Sequence, residues 1–115
     1  SPGVVIIVGI SGDIRGNVIY GTTTECAKEI AAAMMMGMTV DNFDEIAQSA
    51  ISELSNMLTA NAATNFSNVD ITIDISPPTL VYGDFTANAS TDKVLFIELL
   101  VKNLPFYVNV AIDKV

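Results

Sequence analysis

The spacing of apolar and polar residues divides this chain into a strand pair, two helices and a second group of strands. Residues 4–10 form a continuous, mostly β-branched run, and residues 15–20 follow it across a turn that contains Gly12 and Asp13. Two apolar runs joined by a Gly-Asp turn are typical of a β-hairpin. The chain is therefore predicted to open with two antiparallel strands.

A first helix is predicted to follow the hairpin. Thr22 and Glu25 have the spacing of a capping box, so the helix is expected to begin there and to run to about Met36. Gly37 is placed to end the helix in the left-handed conformation. The buried face is predicted to comprise Cys26, Ala27, Ile30, Ala33 and Met34.

A second, longer helix is predicted from about Asp41 to about Phe66. Asp44 and Glu45 also fall near its start, where the helix dipole favours anions. Asn61 lies within the apolar stripe of this helix, so it is expected to be a buried, hydrogen-bonded amide. The stripe recurs at helical spacing and comprises Phe43, Ile46, Ala47, Ala50, Ile51, Leu54, Met57, Leu58 and Ala62.

The rest of the chain is predicted to form strands. Residues 69–75 alternate strictly between apolar and polar side chains, as in a half-buried strand. Further strands are predicted at residues 80–82 (a short one), Val94–Val101 and 106–112. With the short strand left out, the order ββ-αα-βββ predicts one α+β domain over residues 1–115, in which two main helices pack on an antiparallel β-sheet.

Composition narrows the chemistry that this domain can perform. The chain has 13 acidic and 5 basic residues, a net charge of −8, so no basic face is available for nucleic acid or an anionic membrane. A basic patch on another protein is a better electrostatic match. There is no histidine and one cysteine, which excludes an internal disulfide and catalysis that depends on histidine. Chemistry must come from carboxylates, amides or hydroxyls.

No targeting or membrane segment is evident in the sequence. The apolar run at residues 4–10 is much shorter than the roughly 20 residues that span a bilayer, and it lacks the basic start of a secretory signal. A cytoplasmic location is therefore expected.

One face of the second predicted helix carries an uncommon set of side chains. On a wheel of about 100° per residue, Glu53 and Asn56 lie one turn apart on the side opposite the apolar stripe. Solvated helix faces favour long, flexible side chains. Here the neighbours are small residues, and the flat surface that they form would let another protein approach closely. These neighbours are Ser49, Ser52, Ala60 and Ala63. The pattern alone leaves open that Glu53 and Asn56 are simply solvent-facing.

This helix also carries a family resemblance. Residues 44–62, DEIAQSAISELSNMLTANA, resemble the signature helix of the CheC/CheX/FliY chemotaxis phosphatases, whose signature is Glu-x-x-Asn-Met. The hairpin from Gly9 to Val18 is similar to the glycine-rich hairpin of that family. CheC-type proteins carry two copies of the motif, and this sequence has one, so it most resembles the CheX type.

The resemblance implies a phosphatase for bacterial chemotaxis or two-component signalling. Its substrate would be the aspartyl phosphate of a phosphorylated CheY-like receiver domain. Asn56 would orient the attacking water, and Glu53 would dock to a lysine of the partner. Mg²⁺ is expected in the acidic pocket of the partner, with no metal site or cofactor on this chain. CheX-type proteins pair into homodimers through their sheets, and the apolar run Val94–Val101 is a candidate for that contact.

A non-catalytic interaction module is the alternative. The same fold family includes flagellar-switch components that bind partners without hydrolysis, and a flat helix face would serve them equally well. The presence of both Glu53 and Asn56 favours the enzyme, because an adaptor has no need of both.

Overall fold

The computed structural model describes residues 2–84, 94–101 and 103–112, which form an antiparallel sheet with two helices on one side. The predicted α+β class is confirmed, and the short segment at 80–82 proves to be part of a longer strand. The elements in chain order are β1 (Pro2–Gly12), β2 (Gly16–Thr23), α1 (Thr24–Met34), α2 (Glu45–Ser67), β3 (Ile73–Ile75), β4 (Thr79–Asp84), β5 (Val94–Val101) and β6 (Leu104–Ile112).

The six strands follow the order β3-β1-β2-β6-β5, and β4 pairs with β1 on the same side as β3. Ser76 separates β3 from β4 and ties this bend to β1. Its backbone N–H donates to the Gly9 carbonyl oxygen at 2.9 Å, and its hydroxyl oxygen accepts from the Gly9 N–H at 2.8 Å. At the opposite side of the sheet, no described strand lies beyond β5. β5 is therefore an edge strand in the described part of the chain.

Alternate residues of the central strands face the helices and form the core. The ring of Tyr20 in β2 stacks on that of Phe106 in β6, with a centroid distance of 5.6 Å. The helices add small or medium side chains, which allow close approach to the sheet. The buried apolar residues include Val4, Ile6, Val8, Tyr20, Ala27, Ile30, Ala31, Ala47, Ile51, Phe106 and Val108.

Helix α1 begins later than the predicted capping box. Its N-cap is Thr23, whose hydroxyl oxygen accepts from the backbone N–H of Cys26 at 3.1 Å. Thr22 still belongs to β2, and its hydroxyl donates to the carbonyl oxygen of Pro105 in the neighbouring strand at 2.7 Å. The prediction at Thr22 was wrong because three consecutive threonines can all cap a helix, and the sheet register selects among them.

The end of α1 also differs from the prediction. The helix ends at Met34, and Met36 adopts the left-handed conformation (φ 61°) next to Gly37 (φ 84°). The backbone N–H of Gly37 donates to the Ala32 carbonyl oxygen at 2.8 Å, which closes the helix as a Schellman motif. Met34, predicted to be buried, is 36% exposed, and Ala31 is buried instead.

Helix α2 begins at Glu45 and not near Asp41, because the carboxylate of Asp44 caps it by accepting from the Ala47 N–H at 2.9 Å. The prediction that Asn61 is buried was wrong, since its side chain is exposed. The buried residues of α2 recur at every fourth position, so the buried stripe advances around the helix axis by about 40° at each step. It has turned away from Asn61 by the last turns. The fully or nearly buried positions are Ala47, Ile51, Ser55 and Thr59.

Most of the predicted strand at residues 69–75 is a turn. Helix α2 continues to Ser67, and the chain reverses through Asp70 (φ 64°) before it pairs with β1 at Ile73–Ile75. Asp13 holds this turn, because its carboxylate accepts from the Thr72 N–H at 2.8 Å and its N–H donates to the Thr72 carbonyl oxygen at 2.9 Å. The alternating pattern did not reveal that the first residues of this segment form the turn that follows helix α2.

Gly16 opens β2 at a place where no side chain fits. An added Cβ would overlap the carbonyl oxygen of Ala111 and lie 3.0 Å from the Cα of Ile112, both backbone atoms of the paired strand β6. We expect Gly16→Ala to lower the free energy of unfolding by about 1–3 kcal/mol, as in other overpacked sites. Urea unfolding followed by circular dichroism measures this. Gly21→Ala is the matched control in the same strand, because its nearest neighbour would be 3.9 Å away. Equal losses at both positions would contradict the steric explanation.

Candidate functional site

Helix α2 presents Glu53 and Asn56 on the side that points away from the sheet. Its inner side is buried through Ile51, Ser55 and Thr59, whereas Glu53 is exposed and Asn56 is half-buried. Residues three apart lie on the same face of a helix, about one turn from each other. A carboxylate and an amide can therefore reach the same approaching molecule.

The small residues predicted around this pair do not all lie on the same surface. Ser49 is exposed, and Ser52 and Ala60 are half-buried. Ala63 lies two turns beyond Asn56 and forms part of the wall of a cavity under the C-terminal half of α2. The low surface around Glu53 and Asn56 is thus built by Ser49, Ser52 and Ala60.

Two large apolar side chains flank Glu53 on the outer surface, and the sequence prediction placed both in the buried stripe. Ile46 is 67% exposed and Met57 is 50% exposed. They are seven residues before and four residues after Glu53, so the three side chains form one line along the helix. The spacing of Ile46, Glu53 and Met57 is visible in the sequence. It did not reveal their common line because apolar residues at helical spacing are usually assigned to the core.

The electrostatic character of this face is acidic. The segment from residue 35 to residue 67 contains Asp41, Asp44, Glu45 and Glu53 and has no lysine or arginine. The face is therefore suited to a partner with a basic surface.

Hydroxyl groups line the inner side of α2 beneath this face. The Ser55 hydroxyl donates to the Ile51 carbonyl oxygen at 3.1 Å, and the Thr59 hydroxyl donates to the Ser55 carbonyl oxygen at 2.9 Å. The Tyr20 hydroxyl lies 2.7 Å from Thr59 Oγ1. Burial raises the pKa of Tyr20. None of these hydroxyls was singled out from the sequence.

An apolar cavity of about 300 Å³ lies between the C-terminal half of α2 and the sheet. Tyr20 and Thr59, whose hydroxyls bond each other, are the two residues of its wall that carry a polar side chain. The wall also includes Ile10, Ile14, Val18, Ala62, Ala63, Phe66, Ile73, Ile97, Val108, Val110 and Ile112. It contains no charged group, so it supplies no acid, base or metal ligand.

The described residues show neither a metal-binding cluster nor a membrane-spanning helix. Within 2–84, 94–101 and 103–112, no three acidic or cysteine side chains come together in a way that could hold a metal ion. None of the helices in this described part is both long and apolar enough to cross a membrane. The outer face of α2 offers the Asn56 amide, which both donates and accepts hydrogen bonds, and the Glu53 carboxylate, together with the hydroxyls of Ser49 and Ser52.

The family model and the curated relative that match this chain both carry the name CheX. The family model described as chemotaxis phosphatase CheX matches residues 4–100. The curated protein CheY-P phosphatase CheX of Thermotoga maritima is 42% identical over 79 residues, which cover 69% of this chain and 51% of that protein. The matched chain thus spans about half the length of this curated relative.

The fold is also shared with solved structures. The CheX-CheY-BeF3-Mg²⁺ complex from Borrelia burgdorferi matches with a TM-score of 0.84 and 25% identity, over 97% of this chain and 77% of that one. A CheX chemotaxis protein from Desulfovibrio desulfuricans matches with a TM-score of 0.83 and 24% identity, over 98% and 77% of the two chains. FliY of Thermotoga maritima matches with a TM-score of 0.75 and 26% identity, over 96% and 65%.

Proposed function

The chain belongs to the chemotaxis phosphatase CheX family, and we propose that it hydrolyses the aspartyl phosphate of a phosphorylated CheY-like receiver domain. The observation that carries the proposal is the pair of Glu53 and Asn56 on the outer face of α2, within the segment that the family model matches. The Thermotoga maritima relative is named for the same activity. The Borrelia burgdorferi relative was solved together with CheY.

Asn56 is the residue that we assign to the chemistry. In-line attack on a phosphoryl group depends more on positioning and electrostatics than on a strong base. The carbonyl oxygen of the Asn56 amide can accept a hydrogen bond from the attacking water, while its NH₂ donates to a phosphoryl oxygen. Asn56 would thus hold the water in line with the bond that breaks.

Glu53 is the residue that we assign to docking. It stands exposed on an acidic face, where it can pair with a lysine of the receiver. Ser49, Ser52 and Ala60 leave room for the receiver to approach, and Ile46 and Met57 add apolar contact on either side of the carboxylate. Mg²⁺ belongs, in this proposal, to the acidic pocket of the receiver, and this chain contributes no ligand to it.

The experiment that tests the activity is the rate of phosphate loss from a phosphorylated receiver, with and without the chain. An increase in rate that is proportional to the concentration of the chain supports a phosphatase. Binding without any increase would favour the adaptor, for which the acidic face with Ile46 and Met57 is sufficient.

We also propose that two copies pair through β5. This strand forms the described edge of the sheet, and Leu100 on it is 65% exposed. Edge strands present unpaired backbone groups to a second chain, and a lysine on the edge is a common way to prevent such pairing.

Leu100→Lys is therefore expected to shift a dimer toward monomer by about tenfold or more in dissociation constant, measured by sedimentation equilibrium. Val81→Lys is the control, because Val81 is 48% exposed on β4 at the opposite side of the sheet. A wild-type chain that stays monomeric at all concentrations, or a dimer that Val81→Lys disrupts equally, would contradict pairing through β5.

A further inference from the structure

We propose that Tyr20 is a positioning residue for the hydrolysis, because its hydroxyl holds, through Thr59, the part of α2 that carries Asn56. This inference rests on the proposed function and goes beyond it, since it assigns a role to residues under the helix that touch neither the receiver nor the phosphate.

Tyr20 provides a fixed point on the sheet. It belongs to β2, which is paired on both sides, with β1 and with β6. Its side chain is 3% exposed, and its ring is stacked on that of Phe106. A ring confined in this way directs its hydroxyl to one place on the helix above it.

The hydrogen bonds run from this fixed point along the inner side of α2. The only hydroxyl proton of Thr59 is donated to the Ser55 carbonyl oxygen at 2.9 Å, so Tyr20 is the donor in the 2.7 Å bond to Thr59 Oγ1. The Ser55 hydroxyl continues the chain to the Ile51 carbonyl oxygen at 3.1 Å. These bonds cover residues 51–59, and Asn56 lies within that stretch, about 100° around the helix axis from Ser55.

Packing on the inner side of this stretch is incomplete beside Thr59. The inner side chains Ser55 and Thr59 are small, and the apolar cavity of about 300 Å³ removes packing beside Thr59. Serine and threonine hydroxyls that bond to the carbonyl four residues earlier also bend helices. The local shape of α2 and its height above the sheet therefore depend on the directional bond from Tyr20. A displacement of about 1 Å at a catalytic group can cost about 100-fold in rate.

Removal of the Tyr20 hydroxyl tests this inference. Tyr20→Phe keeps the stacked ring, and we expect kcat for hydrolysis of a phosphorylated receiver to fall about tenfold, with Kd for the receiver unchanged within about twofold. Thr59→Val breaks the same bond and should give a similar fall, whereas Thr59→Ser keeps the hydroxyl and should retain kcat. The double variant Tyr20→Phe/Thr59→Val should be no slower than the slower single variant, because both remove one interaction.

Thr64→Val is the matched control. The Thr64 hydroxyl also donates to the carbonyl four residues earlier, that of Ala60 at 3.1 Å, but Thr64 is exposed and outside the hydroxyl chain. Its kcat should equal that of the wild type. A Tyr20→Phe variant that loses thermal stability but keeps kcat would overturn the inference, and so would one that loses affinity for the receiver.

A second readout does not need activity. In Tyr20→Phe we expect the side-chain amide NMR resonances of Asn56 to shift, while in Thr64→Val they should stay in place. If the wild-type chain did not accelerate dephosphorylation, the proposed function would fail, but these resonances would still decide whether Tyr20 positions Asn56. Unchanged Asn56 resonances in Tyr20→Phe would overturn the positioning role even in an active phosphatase.

Discussion

Asn56→Ala should lower the acceleration of receiver dephosphorylation by at least about 100-fold and leave Kd for the receiver within about threefold of the wild type. Removal of one preorganised hydrogen-bonding group that acts in the transition state typically costs about 100- to 1000-fold in kcat. Asn56 is half-buried on the outer face of α2, and its truncation leaves the inner face of the helix untouched. The rate of phosphate loss at saturating chain gives the chemistry, and titration with a stable phosphoryl mimic on the receiver gives the affinity.

Asn61→Ala is the matched control for this experiment. It removes the same side chain from the same helix, five residues further along, where the amide is also solvent-accessible but points in a different direction. It should hydrolyse at the wild-type rate. Retention of full activity by Asn56→Ala would show that the water is oriented by another group, and the assignment of Asn56 would then be wrong.

The fold class and most strands, though not most of residues 69–75, could be predicted because their signals are strong and local. Val94–Val101 has the predicted bounds, since a run that is apolar except for Glu98 and has polar flanks leaves few alternatives. The exact helix starts were less predictable. At α1 each of three consecutive threonines could have been the N-cap, and at α2 the helix could have begun near Asp41 or after Asp44. These choices depend on strand pairing and chain reversal, which local sequence does not encode.

The candidate site was predictable on its outer side and not on its inner side. Helical spacing is enough to place Glu53 and Asn56 together and away from the core. Ser55 and Thr59 are different, because a hydroxyl in mid-helix is compatible with either side. Thr59 is buried with its hydroxyl bonded to that of Tyr20, which is 39 residues away in the chain. Asn61 was misplaced for a related reason, since the actual buried stripe contains polar residues that the hydrophobic pattern omits.

Glu53→Ala should raise Kd for the phosphorylated receiver about tenfold or more and lower turnover at subsaturating receiver by the same factor. Loss of one partner of a hydrogen-bonded charge pair at an interface costs about 2–5 kcal/mol when the pair is desolvated, and less at an exposed rim. Ile46 and Met57 flank the carboxylate and would shield it from water on docking. Glu53→Gln keeps the size of the side chain, so it separates loss of charge from loss of contact.

Salt provides an independent measurement of the same pair. Affinity of the wild type should fall as ionic strength rises, because its acidic face meets a basic one, and Glu53→Gln should weaken this dependence. Glu29→Gln is the control and should leave the salt dependence unchanged, since Glu29 is exposed on α1, outside the acidic segment at residues 35–67. A Glu53→Ala variant with unchanged Kd and a lowered kcat would move Glu53 from docking to chemistry. The carboxylate would then act on the water together with Asn56, and the binding energy would have to come from Ile46, Met57 and the small residues around them.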